Sequence, residues 1–496
     1  MILSPIQMKA AEERLFQSGD TPEHLMEIAG EGIANVIRQF FPSSSTILVY
    51  CGKGHNGGDA LVAAHSLEAS GWRVLLRMSG SNDELAPLTR RQLDSLNSRK
   101  NVQVITSAFS SCGATVILDG LLGIGATGVP SGLTLELIKE MNRYSGECGA
   151  FTVAVDLPSG IDVNSGERFD PCVQADLTVT IGAVKSCLLA DSATTAVGRI
   201  ALVSLPNLAL HVGDEGDPAE VMTSMDLRRL LPVRDFDTFK GNYGRIGVLA
   251  GSIGYLGAAK LASTAAVHAG GGLVTLYAMP DTYPYLASMS IPEVMVKPIA
   301  SYKEVIKEKL DALAFGPGLG KQYIQDLRSI FRDAPMPCVV DADALNALAT
   351  THAIQARCLG PRLLTPHPGE LERLYPCSGR TRREWGMQFS EGHNITLLLK
   401  GARTIITERG VPPVFNTTGT PGMATGGMGD VLSGVCAAML GSGRSLREAA
   451  MLGAWLCARA GEIAIFNDSD SQESLSATSV INHLGAACTS LRRGDY

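Results

Sequence analysis

One pattern recurs along most of the chain: a short apolar, β-branched run, then a glycine-rich turn, then a helical stretch. In the first half the runs are Thr46–Tyr50, Arg73–Met78, Thr115–Leu118, Phe151–Val155, Leu177–Ile181 and Arg199–Ser204. In the second half they include Arg245–Ala250, Leu273–Tyr277, Cys338–Val340, Arg362–Leu364, Thr396–Leu399 and Thr404–Thr407. Runs that are apolar throughout, rather than alternating, suit parallel strands buried on both faces. Strands alternating with helices imply βαβ units wound into sheets covered by helices on both sides, an α/β chain with three-layer domains.

At 496 residues the chain exceeds what one core usually organises. The acidic, glycine-bearing stretch His211–Pro218 interrupts the pattern, and a new start follows at Met225–Arg228. These place a first α/β domain at 1–212, a linker at 213–225 and a second α/β domain at 226–496. No internal repeat relates the two. The 54 glycines are unusual, against roughly 35 at the ordinary ~7%. They follow no G-X-Y period, which excludes collagen. With 42 Lys and Arg against 49 Asp and Glu, the net charge is −7, and no basic excess points to a nucleic-acid partner.

Eleven scattered cysteines include no C-x-x-C pair, which argues against zinc knuckles and thioredoxin chemistry and suits a reducing compartment. The first twenty residues carry Lys9, Glu12, Glu13 and Arg14 where a signal peptide would be apolar. Arg459 and Glu462 interrupt the apolar stretch Ala449–Phe466, short of the ~18 apolar residues of a membrane span. The expectation is a cytoplasmic protein that acts on small molecules and self-associates, with no membrane partner.

Three strand ends in the first half carry polar chemistry. The turn Cys51-Gly52-Lys53-Gly54-His55-Asn56-Gly57-Gly58-Asp59 follows the first run and precedes the helical run Ala60–Ala69. Glycines there let backbone approach a phosphate, and a helix N-terminus presents free N–H groups. It is not a Walker loop, and alone it could be a tight turn. The second end is Asp119-Gly120-Leu121-Leu122-Gly123-Ile124-Gly125-Ala126-Thr127-Gly128-Val129, and the third is Asp156-Leu157-Pro158-Ser159-Gly160. Ligands of open parallel sheets bind at the carboxyl ends of strands, so Asn56, Asp119 and Asp156 are expected to converge.

Most of residues 1–212 resembles the NAD(P)H-hydrate epimerase family, through its N-N-G-G-D-G signature and its D-x-P-S-G hallmark. The resemblance implies a Rossmann-like doubly wound sheet. It also implies a potassium ion on Asn56, Asp119 and Ser159, and hydrated nicotinamide nucleotide on His55 to Asp59, Gly123 to Val129, and Asp156. Asp156 is then the candidate for proton transfer in epimerisation at C6. His55 replaces the first Asn of the signature and Ala60 the Gly after its Asp, so a catalytically dead scaffold stands as the alternative for this half.

In the second half the segment Thr420-Pro421-Gly422-Met423-Ala424-Thr425-Gly426-Gly427-Met428-Gly429-Asp430 precedes the apolar helical run Val431–Leu440. Gly426, Gly427 and Gly429 at a helix start form an anion hole of backbone N–H groups. Asp430 beside it can accept the proton of a hydroxyl attacking a phosphoryl group, or it can simply cap the helix. Other marked segments are Phe315-Gly316-Pro317-Gly318-Leu319-Gly320, Asp341-Ala342-Asp343, Thr365-Pro366-His367-Pro368-Gly369-Glu370-Leu371-Glu372-Arg373, Lys400-Gly401-Ala402-Arg403-Thr404 and Lys240-Gly241-Asn242-Tyr243-Gly244. His367, between two prolines, reads either as a ligand contact or as a buried, hydrogen-bonded histidine.

The G-x-G-D arrangement resembles the ribokinase-like superfamily, and nearly all of 226–496 resembles the ADP/ATP-dependent NAD(P)H-hydrate dehydratases. The resemblance implies a ribokinase-like domain with the adenine nucleotide on Lys400 to Thr404 and Thr420 to Gly429. The hydrate would lie on Gly318, His367 to Arg373, and Asp430, the catalytic base. It also implies magnesium, and ADP as phosphoryl donor, producing AMP and phosphate as the S hydrate is dehydrated. A vitamin-precursor kinase would share Asp430 but would leave the first half and the T-P-H-P-G-E segment without a role.

Overall fold

The computed structural model describes residues 1–106, 113–213, 216–350, 354 and 357–496. Asp214 and Glu215 of the expected linker, and Cys112, lie outside the described residues. The chain forms two units, Met1–Val221 together with Tyr496, and Met222–Asp495.

In the first unit seven strands form one all-parallel sheet. Their order is Val102–Val104, Arg73–Met78, Thr46–Cys51, Val116–Gly120, Phe151–Val155, Leu177–Ile181 and Arg199–Val203. The chain starts in the middle at Thr46–Cys51, winds outward to one edge, then returns to Val116–Gly120 and winds to the other. The carboxyl ends of these two strands therefore flank the switch point where an open sheet presents a crevice. The glycine turn does not separate strand from helix as expected. The helix begins within it, at His55, and runs to Ala69.

The second unit's sheet runs from Val411–Phe415 through Ile405–Glu408, Thr396–Leu399, Arg362–Leu364, Cys338–Val340, Ala312–Phe315, Arg245–Leu249 and Leu273–Ala278 to Val294–Pro298. From Thr396–Leu399 onward it is parallel. The run Thr404–Thr407, read above as another parallel strand, pairs antiparallel with Thr396–Leu399. The five residues Lys400 to Thr404 can close a hairpin but are too few for a crossover. Side chains alternate between two cores, one on each face. Ile246 and Val248 pack with Ala262 and Val435, whereas Leu249, Leu313 and Phe315 pack with Phe331 and Phe389.

Helix Leu446–Phe466 has the length and mean hydropathy (1.4) to cross a membrane, yet 78% of its apolar window is buried inside the unit. It is a core helix. Arg459 tolerates burial there because its Nη1 donates to Glu462 Oε2 at 2.9 Å, one turn away. Among the described residues nine cysteines are free, six of them buried, in keeping with small apolar roles. Cys148 departs from that reading and is disulfide-bonded.

Candidate active sites

The first unit gathers its polar strand ends by hydrogen bonds between side chains far apart in sequence. Asp119 is fully buried. Its Oδ2 accepts the Ser159 N–H at 2.7 Å, and its Oδ1 accepts Ser159 Oγ at 2.7 Å and the Leu121 N–H at 3.1 Å. Ser159 Oγ in turn accepts the Leu122 N–H at 3.0 Å, and Asn56 Nδ2 donates to the Leu122 carbonyl at 3.0 Å. Asn56, Asp119 and Ser159 thus form one connected group. Burial raises the Asp119 carboxyl to about 6, against the opposing pull of its hydrogen bonds. Gly57 is required by close approach, since a Cβ there would lie 2.2 Å from the Gly52 carbonyl oxygen.

Asp156 ends its strand in the left-handed region, at φ 64°, a conformation that costs energy for a residue with a side chain. Its Oδ1 accepts Thr180 Oγ1 at 3.2 Å, the Ile181 N–H at 3.1 Å and the ammonium of Lys185, which is 1% exposed. Lys185 also donates to the Ile181 carbonyl at 2.6 Å. Among the described residues no donor reaches Asp156 Oδ2. Burial, followed by the charges of Asp156 and Glu12, pushes the Asp59 carboxyl well above its ordinary range. Burial likewise raises Glu12, with Lys185 opposing.

A pocket beside these groups is lined by Gly123, Ala126, Thr127 and Gly128 on one side and by Pro158, Gly160, Ile161 and Phe169 on the other. Leu122, also in its lining, and Ile124 are half-buried, whereas Gly125 and Val129 are exposed. His55 is exposed in the first helical turn. Ala60 is fully buried, and a Cβ on Gly120 would come within 2.5 Å of its own Cβ, so the missing side chain at Gly120 makes room for Ala60.

In the second unit, Gly427 caps helix Met428–Gly441 in the left-handed region, at φ 90°, and no side chain caps it. Asp430, in the first turn, is therefore not the helix cap. Among the described residues no donor reaches its carboxylate. Burial first, then the charge of Asp341, raises it to about 6, with Lys400 opposing. Lys400 Nζ donates to Asp341 Oδ1 at 2.8 Å and lies 3.8 Å from Glu370 Oε2. Ser433 Oγ donates to Asp341 Oδ2 at 2.9 Å.

The histidine loop joins this group through the backbone, because Lys400 N–H donates to the Pro366 carbonyl at 2.9 Å. His367 is exposed rather than buried, and its Nδ1 accepts the Gly369 N–H at 3.1 Å as the cap of helix Pro368–Leu374. Glu370 Oε2 answers by accepting the His367 N–H at 2.8 Å, a capping box. Arg373 turns to Asn346, at 3.1 Å. Gly318 packs against Tyr255 and Ala258, and its carbonyl accepts Ser252 Oγ at 2.8 Å. Thr420 caps the turn Pro421–Met423, and the Gly419 N–H donates to the buried Glu462 at 2.7 Å, anchoring the glycine segment.

A family model described as YjeF-related protein N-terminus matches residues 22–187, and one described as NAD(P)H-hydrate dehydratase matches 246–483. A bifunctional NAD(P)H-hydrate repair enzyme of Moorella thermoacetica is 34% identical over 470 residues, 89% of this chain and 88% of that protein. The chain belongs to that family. A member from Coxiella burnetii is 32% identical over 96% of this chain and 97% of its own length. The ADP/ATP-dependent NAD(P)H-hydrate dehydratase of Bacillus subtilis, co-crystallised with ATP/Mg2+, is 27% identical, with a TM-score of 0.49 over 55% of this chain and 98% of its own.

Against the family signature, Ala60 is explained by Gly120 and His55 by its solvent position. Sequence reading passed over Lys185, Glu12 and the pocket wall beyond Gly160. Lys185 carried one signal: a lysine in the apolar run Ile181–Leu189, four residues beyond a strand end.

Proposed function

We propose that the first unit interconverts the R and S hydrates of NADH and NADPH, and that the second removes water from the S hydrate at the expense of ADP. Support for the second activity comes from one observation above all: Asp430 stands beside a glycine anion hole with its carboxylate unengaged. As base, it takes the proton of the C6 hydroxyl while that oxygen attacks the terminal phosphorus of ADP, releasing AMP. Phosphate then leaves C6 as the C5 proton is lost, and the dihydronicotinamide double bond re-forms. Lys400, fixed by Asp341, offers positive charge to the moving phosphoryl group. Among the described residues no three His, Cys, Asp or Glu side chains converge on a metal, so magnesium would arrive on the nucleotide's phosphates rather than in a protein cage.

In the first unit, Asp156 keeps Oδ2 for substrate while Lys185 holds Oδ1, which suits a group that accepts a proton as C6 inverts and returns it. Asn56, Asp119 and Ser159 offer amide, carboxylate and hydroxyl oxygens, the donors a potassium ion prefers, and the buried charge of Asp119 favours a cation. Potassium there would supply positive charge for a pyrophosphate. A hydrate-repair assay with ADP, with ATP and without nucleotide tests the reading. NAD(P)H should return only with nucleotide, and return without any would overturn it.

A further inference from the structure

Arg459 and Glu462 are the two charged residues buried in helix Leu446–Phe466, at 3% and 1% exposure. Exchanging a buried ion pair for apolar side chains is often neutral for stability or better, so stability alone does not explain charge in a core helix. The hydrogen bonds show where the pair leads. Glu462 Oε2 accepts Arg459 Nη1 at 2.9 Å, and its Oε1 accepts the Gly419 N–H at 2.7 Å. Arg459 Nε donates onward to Ser490 Oγ at 3.0 Å, in helix Ala477–Arg493. Two core helices are thereby tied to the residue that opens the glycine segment.

That segment follows the same helix for several residues. A Cβ on Gly461 would lie 3.3 Å from Met423 Cγ, so the missing side chain leaves room for Met423 beside Glu462. A Cβ on Gly422 would lie 2.8 Å from the Gln472 carbonyl oxygen, which seats the turn Pro421–Met423 from a second side. At the other end Gly427 caps helix Met428–Gly441, whose Val431 and Val435 are core residues. Between the two anchors lie Ala424, Thr425 and Gly426, all exposed. The backbone that faces an anion is thus a short exposed bridge held at both ends. A bridge loose at one end would have to be ordered when the ligand binds, and that ordering lowers affinity.

We propose that Glu462 is a positioning residue for nucleotide binding: through the Gly419 N–H it holds the glycine segment in its ligand-ready form, and Arg459 and Ser490 fix Glu462 for that task. This rests on nucleotide binding by the second unit, as proposed above. Glu462 touches no ligand and acts through backbone. Asp430 has its own anchor in helix Met428–Gly441, so the account separates nucleotide affinity from the chemical step.

Two double variants of the full chain isolate the Gly419 bond. Arg459→Met with Glu462→Gln removes the ion pair but leaves an amide oxygen to accept from Gly419. Arg459→Met with Glu462→Met removes the acceptor as well. Steady-state dehydration of the S hydrate, with ADP and hydrate varied separately, gives the readout. The glutamine chain should keep its KM for ADP within about twofold of wild type. The double-methionine chain should raise it about tenfold, with kcat and the KM for hydrate within about threefold. Equal KM for ADP in the two double variants, or a parallel loss of kcat and of both KM values, would overturn the positioning role. If the double-methionine chain does not fold, Glu462→Asp replaces it, since it keeps a charge beside Arg459 but draws the carboxylate back by one methylene. An unchanged KM for ADP in that chain counts against the proposal. NAD(P)H recovery by wild type without any nucleotide would instead overturn the nucleotide dependence beneath it.

Discussion

Asp119 in the first unit gives both carboxylate oxygens to protein donors, whereas Asp430 in the second gives neither to any donor among the described residues. Both carboxyls are raised to about 6, and in both burial is the largest cause. The shift alone therefore does not distinguish the two carboxyls; the hydrogen bonds do. Asp119 is held rigidly by Ser159 and Leu121, as suits a group that holds an ion. Asp430 is left open beside Asp341, as suits a group that must receive a proton. Asp156 stands between the two, with one oxygen engaged and one available.

The largest effect expected on stability lies in the Asp156–Lys185 pair. Lys185→Met strands a buried carboxylate and should cost about 3–5 kcal/mol in urea denaturation of the first unit. The double variant with Asp156→Asn should recover much of that loss, and simple additivity would show that the pair is not coupled.

Next comes pH. If Asp430 must be ionised, dehydration under kcat/KM conditions falls about tenfold per unit below pH 6, about 1.4 kcal/mol per unit. Its raised pKa means the protonated form favours the fold, so that stabilisation is full below the ordinary carboxylate range and lost as pH rises through about 6. Asp430→Asn should therefore melt higher than wild type at pH 8, with the gap closing below pH 4. A gap that widens toward acid would reverse the assignment.

Potassium at ten times its dissociation constant should add about 1.4 kcal/mol to the first unit at pH 8, and sodium much less. Ser159→Ala should remove most of that gain. The smallest effect belongs to Ala60→Gly, which restores the family residue. It should cost about 1 kcal/mol through helix propensity and leave epimerisation unchanged, whereas a rise in rate would show that Ala60 impairs the site.

Much of this was legible in the chain itself, because strand, glycine turn and helix are written in consecutive residues. The switch point, the anion hole and Asp430 are local in that sense. Lys185 and Glu12 were not, since they reach Asp156 and Asp59 only after segments 29 or more residues apart are brought together. The antiparallel hairpin at Lys400–Thr404 was misread because its apolar runs match those of parallel strands and only the short loop distinguishes them.

The central claim is that two chemistries reside in separate units, each with its own carboxylate. Following both hydrate epimers and NADH together in Asp430→Asn and Asp156→Asn full-length chains tests it most directly. Asp430→Asn should lose nucleotide-dependent NADH recovery by about 10²–10⁴-fold while R and S hydrates still interconvert at the wild-type rate. Asp156→Asn should repair the S hydrate and leave the R hydrate standing. Wild-type repair by Asp430→Asn, or loss of both activities in either folded variant, would contradict the account.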